Sequence, residues 1–578
     1  MDNVFTNNGI ESEDNSFPDS TLQVFGVDEL ATSGPLVTGN VFDGGDGYQG
    51  IYVSLAPGLT FTDNVVCVGA GSGFYGRDIP GATIEGNSFG SSEDPESSCG
   101  SQEWSQALYF SATPDPEDDS PIRVADNTIT GQLSFGVYIN TAGNYELDGN
   151  SIDSATSSAV YASGGLAAGL TSDNDGDGLA EYNGDCNDDD PLVGGSLAAE
   201  IPDDGIDNDC DGITDDGTNT DDLDGDGVTQ ADGDCNDNDP LVFPGQPELL
   251  SNLYDDNCDG WSGFDAELPR PTITLTGNTL DGNEIGVNSM GAELLLPEPG
   301  SESAGNLISN SIQEGILVRS WTWGASNPAL TPGLLTLGAG NTISGSVEEC
   351  VRVDGEGSIA TLGGATLEDC GSYGVSAISA GAVTLSGTTV SQAATAALHI
   401  QDGDILVQSG TVISGPSQIA VEALGGSITL DGVMTHSGVA TGVYLGPLAQ
   451  VTATSAELNV DSAGIVMDGG NLSTGTGLSI AGASGAGLAA SSGTLSIDGS
   501  TISSCQGAAV SLSGDVISSI NGLVSANNVG NGVDCDGGLL DPATSTVTLN
   551  SCSVEDTGSA APFDLFNGCE VAWSCTAL

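Results

Sequence analysis

Between Val351 and Val533 a four-residue pattern returns at an almost constant interval, and few folds can accommodate such a return. A small residue, an apolar residue, a variable residue and another apolar or small residue recur. The series runs from Cys350-Val351-Arg352-Val353 through Gly374-Val375-Ser376-Ala377 and Ala397-Leu398-His399-Ile400 to Gly532-Val533-Asp534-Cys535. The steps between the first apolar residues are 24, 23, 23, 22, 22, 23, 22 and 23. Short alternating runs such as Ser427-Ile428-Thr429-Leu430-Asp431, separated by Gly, Ser, Asn and Asp, fit stacked strands and not helices. Alternation of period 2 turns Val351 and Val353 inward and Arg352 outward. Each coil can bury its apolar side only against its neighbours.

A second strand signal precedes each quartet, as in Asn341-Thr342-Ile343-Ser344 and Thr366-Leu367-Glu368-Asp369-Cys370. Earlier coils are marked by Gly50-Ile51-Tyr52-Val53, Gly73-Phe74-Tyr75-Gly76, Ala107-Leu108-Tyr109-Phe110, Gly136-Val137-Tyr138-Ile139 and Ala159-Val160-Tyr161-Ala162. Asn-x-Ile-x-x-Asn followed by Gly-Val-x-Val resembles the coil repeat of right-handed parallel β-helices, the pectin-lyase-like fold found in many bacterial surface proteins. The resemblance implies an all-β, right-handed parallel β-helix solenoid of about 16–18 coils, with a loop-rich insert. At the spacing between strands, such a rod would be roughly 75 Å long. The expected division is coils over 1–170, an acidic insert over 171–268, further coils over 269–552 and a terminal cap over 553–578. Phe563, Leu565, Phe566, Val571 and Trp573 would cover the last coil, with Cys569 and Cys575 as a candidate tie.

Composition limits what such a rod can bind. Five arginines, no lysine and 82 acidic residues give a formal charge of −77, so the chain cannot neutralise a run of phosphates. Nucleic-acid binding and docking on an anionic membrane are excluded on that ground, and no apolar stretch suits membrane insertion. Thirteen cysteines point to an oxidising, extracellular or cell-surface setting. The chain begins in the middle of a coil-like pattern, so a leader and further coils are expected to precede Met1.

The segment from Asp173 to Glu267 holds 30 of the 82 acids and carries one motif twice, 49 residues apart. The first copy has Asp173, Asp175 and Asp177 before Gly178, then Asp185-Cys186, then Asp207, Asp209, Cys210 and Asp211. The second has Asp222, Asp224 and Asp226 before Gly227, then Asp234-Cys235, then Asp255, Asn257, Cys258 and Asp259. Carboxylates at alternate positions before a glycine are the opening of a calcium loop, although Asp185 and Asp234 fall one place late for a 12-residue loop. Hard oxygen donors without histidine favour Ca²⁺ over Zn²⁺ or Cu²⁺. Cys186 with Cys210, and Cys235 with Cys258, are expected to be disulfides within each copy. These residues resemble the metal-binding motif of MopE-type bacterial surface proteins and, more distantly, the calcium-binding type 3 repeats of thrombospondin.

Two sets of outward residues are candidates for contact with other molecules. Tyr52, Tyr75, Tyr109, Tyr138 and Tyr161 should form an aromatic ladder, which could be a platform for glycan rings or a strand feature that stacks on itself. Farther along, the same quartet position reads Arg352, Ser376, His399, Glu422 and Tyr444, with Asp354 beside Arg352. If the protein is an enzyme, Arg352, Asp354, His399 and Glu422 are the residues to carry polysaccharide lyase or glycoside hydrolase chemistry. The favoured reading is a non-catalytic surface rod with calcium-binding repeats that serves structure or adhesion, in contact with glycan or other surface proteins.

Overall fold

A computed structural model describes residues 4–6, 20–25, 34–43, 49–67, 71–77, 79–90, 105–111, 120–131, 133–164, 193, 228, 270–297, 305–322, 330–415, 417–435, 438–536, 545–555, 563–566 and 569–577. Among these residues every regular element is a strand. Almost all pair in parallel with the strand one lap later, forming a β-solenoid of about 15 turns. A single turn shows the plan: Gln49–Ser54, Thr60–Thr62 and Val65–Val66 lie on three successive faces, and Ser72–Arg77 returns to the first. Leu398, Val421 and Val443 sit on successive rungs of one sheet, as the period of the quartets requires.

Every face sends side chains into a continuous core, two per turn from longer strands such as Ile51 with Val53 and one from the shortest. On the second face Phe61, Ile84, Val124, Leu147 and Leu275 are stacked in register and fully buried. On the third, Phe89, Ile129, Ile152, Leu280, Ile308 and Ile343 do the same. Phe42, Phe61, Phe74, Phe110 and Tyr145 add an aromatic spine inside the first coils, with centroids 5.1–6.3 Å apart. Truncating one of these large buried residues to alanine costs about 3–5 kcal/mol, because neighbouring rungs cannot collapse into the gap.

The corner between the second and third faces is built from two residues. The first is in the left-handed region, for example Gly86 at φ 68°, Asp126 at φ 51° and Gly149 at φ 65°. A glycine or a short polar residue tolerates that conformation. The second is asparagine in eight described turns: Asn40, Asn64, Asn87, Asn127, Asn150, Asn278, Asn306 and Asn341 are all buried. From Asn40 to Asn306 each Nδ2 donates to the Oδ1 of the next at 2.8–3.1 Å, and the last, Asn341, donates to Leu296 O at 3.0 Å. For Asn127 the satisfaction is complete. Its Nδ2 also donates to Ile84 O at 2.9 Å, and its Oδ1 accepts from Asn87 N as well as Asn87 Nδ2.

Beyond Asn341 the same corner is occupied by Ala365, Thr388 and Thr411, and then by Val433 and Ala456. Thr388 Oγ1 still donates to Leu362 O at 3.0 Å, the contact an asparagine Nδ2 makes in earlier turns. An aliphatic corner has no polar side-chain atom to satisfy. In this half the second and third strands merge, as in Ser427–Thr435 and the long Ala463–Ala481. Residues 553–578, expected as a cap, include Phe563–Phe566 and Cys569–Ala577, whose backbones pair in parallel with Val533–Asp536 and Ser545–Glu555.

The acidic segment enters and leaves the stack between neighbouring rungs. Asn150 donates to Asn278 across a sequence separation of 128, and Tyr161 is the register partner of Asn288. The insert thus occupies the position of a loop between two turns that already pair with each other.

Replacing Asn127 by alanine would leave buried groups of Asn87, Ile84 and Asn150 short of partners. We expect a loss of at least about 3 kcal/mol in denaturant unfolding. Arg123→Ala provides the contrast: its pairs with Glu85 at 4.0 Å and Asp148 at 3.7 Å are exposed. Its loss should stay under about 0.5 kcal/mol.

Candidate functional site

The two sets of outward residues are parts of one column. Register partners run from Tyr52 through Tyr75, Tyr109, Tyr138 and Tyr161 to Asn288 and Leu317, and on through Arg352, Ser376, His399 and Glu422 to Tyr444. The separation seen in the sequence comes from the insert, which adds chain without adding a rung, and from the two intervening rungs of Asn288 and Leu317.

In the first part of the column the tyrosine rings pack on one another. Centroids of successive pairs are 5.2, 4.9, 5.0 and 4.8 Å apart, with the outer pairs stacked and the inner two edge-on. Phe135 closes against Tyr138 and Tyr161 at 4.9 and 5.3 Å. Tyr75 OH pairs with Ser111 Oγ, and Tyr161 OH donates to Met290 Sδ at 3.0 Å. Ring faces and several hydroxyls are therefore engaged inside the ladder, leaving mainly ring edges toward solvent. Burial, reinforced by Tyr161 and Tyr109, pushes the Tyr138 phenol up to about 12.

The second part of the column is covered more deeply than an outward-facing strand position suggests. Ser376 is 1% exposed and His399 5%, and over His399 the cover is a neighbouring side chain. Tyr373 provides this cover: its ring stacks on His399 at 4.1 Å and 16°. His399 Nδ1 pairs with Glu422 Oε2 at 2.8 Å, which fixes the imidazole between an aromatic face and a carboxylate. Burial and the charges of Glu422 and Glu349 push the Tyr373 phenol up.

Next to it lies a cluster that the sequence reading did not single out beyond Arg352 and Asp354. Arg352 Nη2 donates to Asp354 Oδ2 at 3.0 Å, and its Nη1 lies 3.5 Å from Glu314 Oε1. Glu314 and Glu349 are stacked on adjacent turns, since Gly315 N donates to Glu349 O at 2.9 Å, and carboxylate oxygens of Glu314, Glu348 and Glu349 lie within 4.8 Å of one another. Burial raises the pKa of both Glu314 and Glu349 above the usual carboxylate range, and the Arg352 charge only partly offsets it. The Cys350–Cys370 disulfide, Cα–Cα 5.5 Å, fastens the turn that carries Glu349 to the next. Sequence spacing held no sign of this pairing, because Cys350 opens a quartet while Cys370 follows a strand on a different face. Cys67 is also disulfide-bonded, and Cys505 is buried.

The expected cation ligands Asp173, Asp175, Asp177, Asp185, Asp207, Asp209, Asp211, Asp222, Asp224, Asp226, Asp234, Asp255, Asn257 and Asp259 lie outside the described residues, as do Cys186, Cys210, Cys235 and Cys258. What the structure fixes is where their segment is anchored, at residues 164 and 270 on neighbouring turns. Two stretches, 185–216 and 234–262, match a family named for copper binding in MopE and described as "Putative metal-binding motif". The matched stretches contain the cysteine-bearing half of each copy; Asp173, Asp175, Asp177, Asp222, Asp224 and Asp226 precede them. No curated protein matches the chain.

The tyrosine ladder has a defined pH response. A phenol whose pKa is higher in the folded than in the unfolded chain stabilises the fold fully below its ordinary value near 10. That contribution is lost as pH rises through the folded value of about 12. Alkaline titration followed by phenolate absorbance should show Tyr138 ionising together with unfolding of the early coils, and Tyr138→Phe should remove that step.

Proposed function

We propose that this protein is a rigid surface scaffold that displays a calcium-loaded module from the side of a β-solenoid. The observation that carries the reading is the anchoring of the insert: the asparagine ladder passes across residues 165–269 without a break, and the outward column keeps its register from Tyr161 to Asn288. The rod therefore needs nothing from the insert, and the insert gains a fixed base. Doubling of the acidic motif, and its match to a metal-binding family in both copies, support cation binding as the property displayed. Oxygen-rich donors without histidine support Ca²⁺ as that cation. Copper, which the family's name suggests, is the competing outcome.

Thirteen cysteines and a disulfide inside the rod support an extracellular or cell-surface setting. Glycan or other surface proteins are the partners such a rod would meet, through the outward column and the insert. With a net charge of −77, association with cationic or calcium-bridged partners is favoured over anionic ones.

Calorimetric titration of Ca²⁺ into the full chain should show binding that weakens in Asp185→Asn/Asp234→Asn. Silence up to about 10 mM, beyond the weak extracellular range, would reject calcium, and binding of Cu²⁺ in its place would reassign the metal. Without cation, paired carboxylates about 4 Å apart repel by roughly 1–4 kcal/mol. Limited proteolysis in EDTA should therefore cut first within residues 165–269, and added Ca²⁺ should slow that cut at least tenfold.

A second reading has one observation in its favour, the imidazole of His399 held by Glu422 at 2.8 Å close to Arg352 and Asp354. On that reading the face is a polysaccharide lyase or hydrolase site. Incubation with acidic polysaccharides should leave them intact if the scaffold reading holds; turnover that disappears in Glu422→Gln or His399→Ala would replace it.

A further inference from the structure

The geometry points to a second cation site, built into the rod itself, in which Glu314, Glu348 and Glu349 hold one hard divalent cation between two adjacent turns. It does not depend on the insert. Oxygens from the three carboxylates all lie within 4.8 Å of one another, and Glu314 and Glu349 are buried at 4% and 9% exposure. Glu314 Oε2 is fully enclosed and has no hydrogen-bond partner. An ionised oxygen in that state is costly unless a cation meets it.

Charge counting points the same way. The cluster comprises the carboxylates of Glu314, Glu348, Glu349 and Asp354, and the guanidiniums of Arg352 and Arg319, whose charges act on Glu314. With all four carboxylates ionised, as a bound cation requires, two negative charges are uncompensated, in a chain that has only three other arginines and no lysine to spare. Arg352 is directed mainly to Asp354, at 3.0 Å, with the longer 3.5 Å approach to Glu314 Oε1, so Oε2 stays unanswered. A divalent ion supplies the missing charge.

The donor set and its size select the ion. All three side chains offer carboxylate oxygen, and Cys350 is committed to its disulfide, so no soft donor is on hand for zinc or copper. Calcium–oxygen distances of about 2.3–2.6 Å place opposite ligands about 4.6–5.2 Å apart. The observed spread within 4.8 Å suits that ion without rearrangement of the turns. Magnesium demands strict octahedral geometry at about 2.1 Å and gives up its waters reluctantly, so an enclosed all-carboxylate site favours calcium. Its role would be a staple: Glu314 belongs to one turn and Glu348 with Glu349 to the next, one turn before the Tyr373 that covers His399.

Two measurements on the full chain test the site. Crystals soaked in Mn²⁺, which also takes oxygen ligands, should show an anomalous peak among the three carboxylates; a map empty there overturns the inference. Calorimetry with Ca²⁺ should give one fewer bound ion per chain for Glu314→Gln/Glu349→Gln than for the unaltered protein, with the insert's own binding unchanged. Equal stoichiometry also overturns it. Asp185→Asn/Asp234→Asn separates the two readings, since it weakens the insert's sites and should leave the Mn²⁺ peak in place. Should the glutamine variant not fold, the Mn²⁺ map on unaltered protein decides alone.

Discussion

A buried amide at a corner has to find its partners one turn away, and that requirement disciplines this molecule. From Asn40 to Asn306 each side chain gives its Nδ2 to the next Oδ1. A slip of one residue would leave several enclosed polar groups unmet in every turn it touched, at about 1–3 kcal/mol for each group. The ladder therefore fixes the register of the adjoining sheets, and the register in turn stacks the columns of Phe, Ile and Leu that fill the core. Where the asparagines end, aliphatic and threonine corners take over, and register rests on the fit of apolar columns with scattered side-chain bonds such as Thr388 Oγ1 to Leu362 O.

Fixed register explains how the chain tolerates an insert carrying 30 acidic residues. Repulsion among those charges is confined to a segment whose ends are pinned on paired rungs. Loop-closure entropy grows only slowly with length, so a long excursion costs the rod little more than a short one. The arrangement separates two kinds of chemistry: a rod with an amide-lined, apolar interior, and an excursion dense in carboxylate.

The outward column brings aromatic and charged side chains of the rod together. Its early rungs are tyrosines that spend their ring faces on each other; its middle rungs bring Arg352, His399 and Glu422 into a partly enclosed strip bordered by Glu314, Glu349 and Tyr373. Two of the chain's five arginines are in this strip, and still it holds more acid than base. Buried carboxylates with raised pKa values are common at sites that bind or react, and this one is fastened by a disulfide to the following turn.

Much of this was legible in one dimension. A return every 22 to 24 residues with period-2 alternation admits only a strand solenoid, and it assigned Val351 and Val353 to the core and Tyr52 through Tyr161 to one outer column. The paired acidic motif likewise announced itself through residue type and spacing, since a cation loop is local and its ligands are neighbours in the chain. The strip around Glu314 was invisible for the opposite reason. Glu314 and Glu349 are 35 residues apart in a stretch where coil length varies, and they meet only because parallel pairing lays one turn on the next. The Cys350–Cys370 bond, the cover that Tyr373 places over His399 and the union of two outer columns into one are contacts between rungs and between faces. Periodicity determines which wall of the coil a side chain joins, whereas which neighbours enclose it, and therefore its charge state and chemistry, was decided only when the turns were stacked.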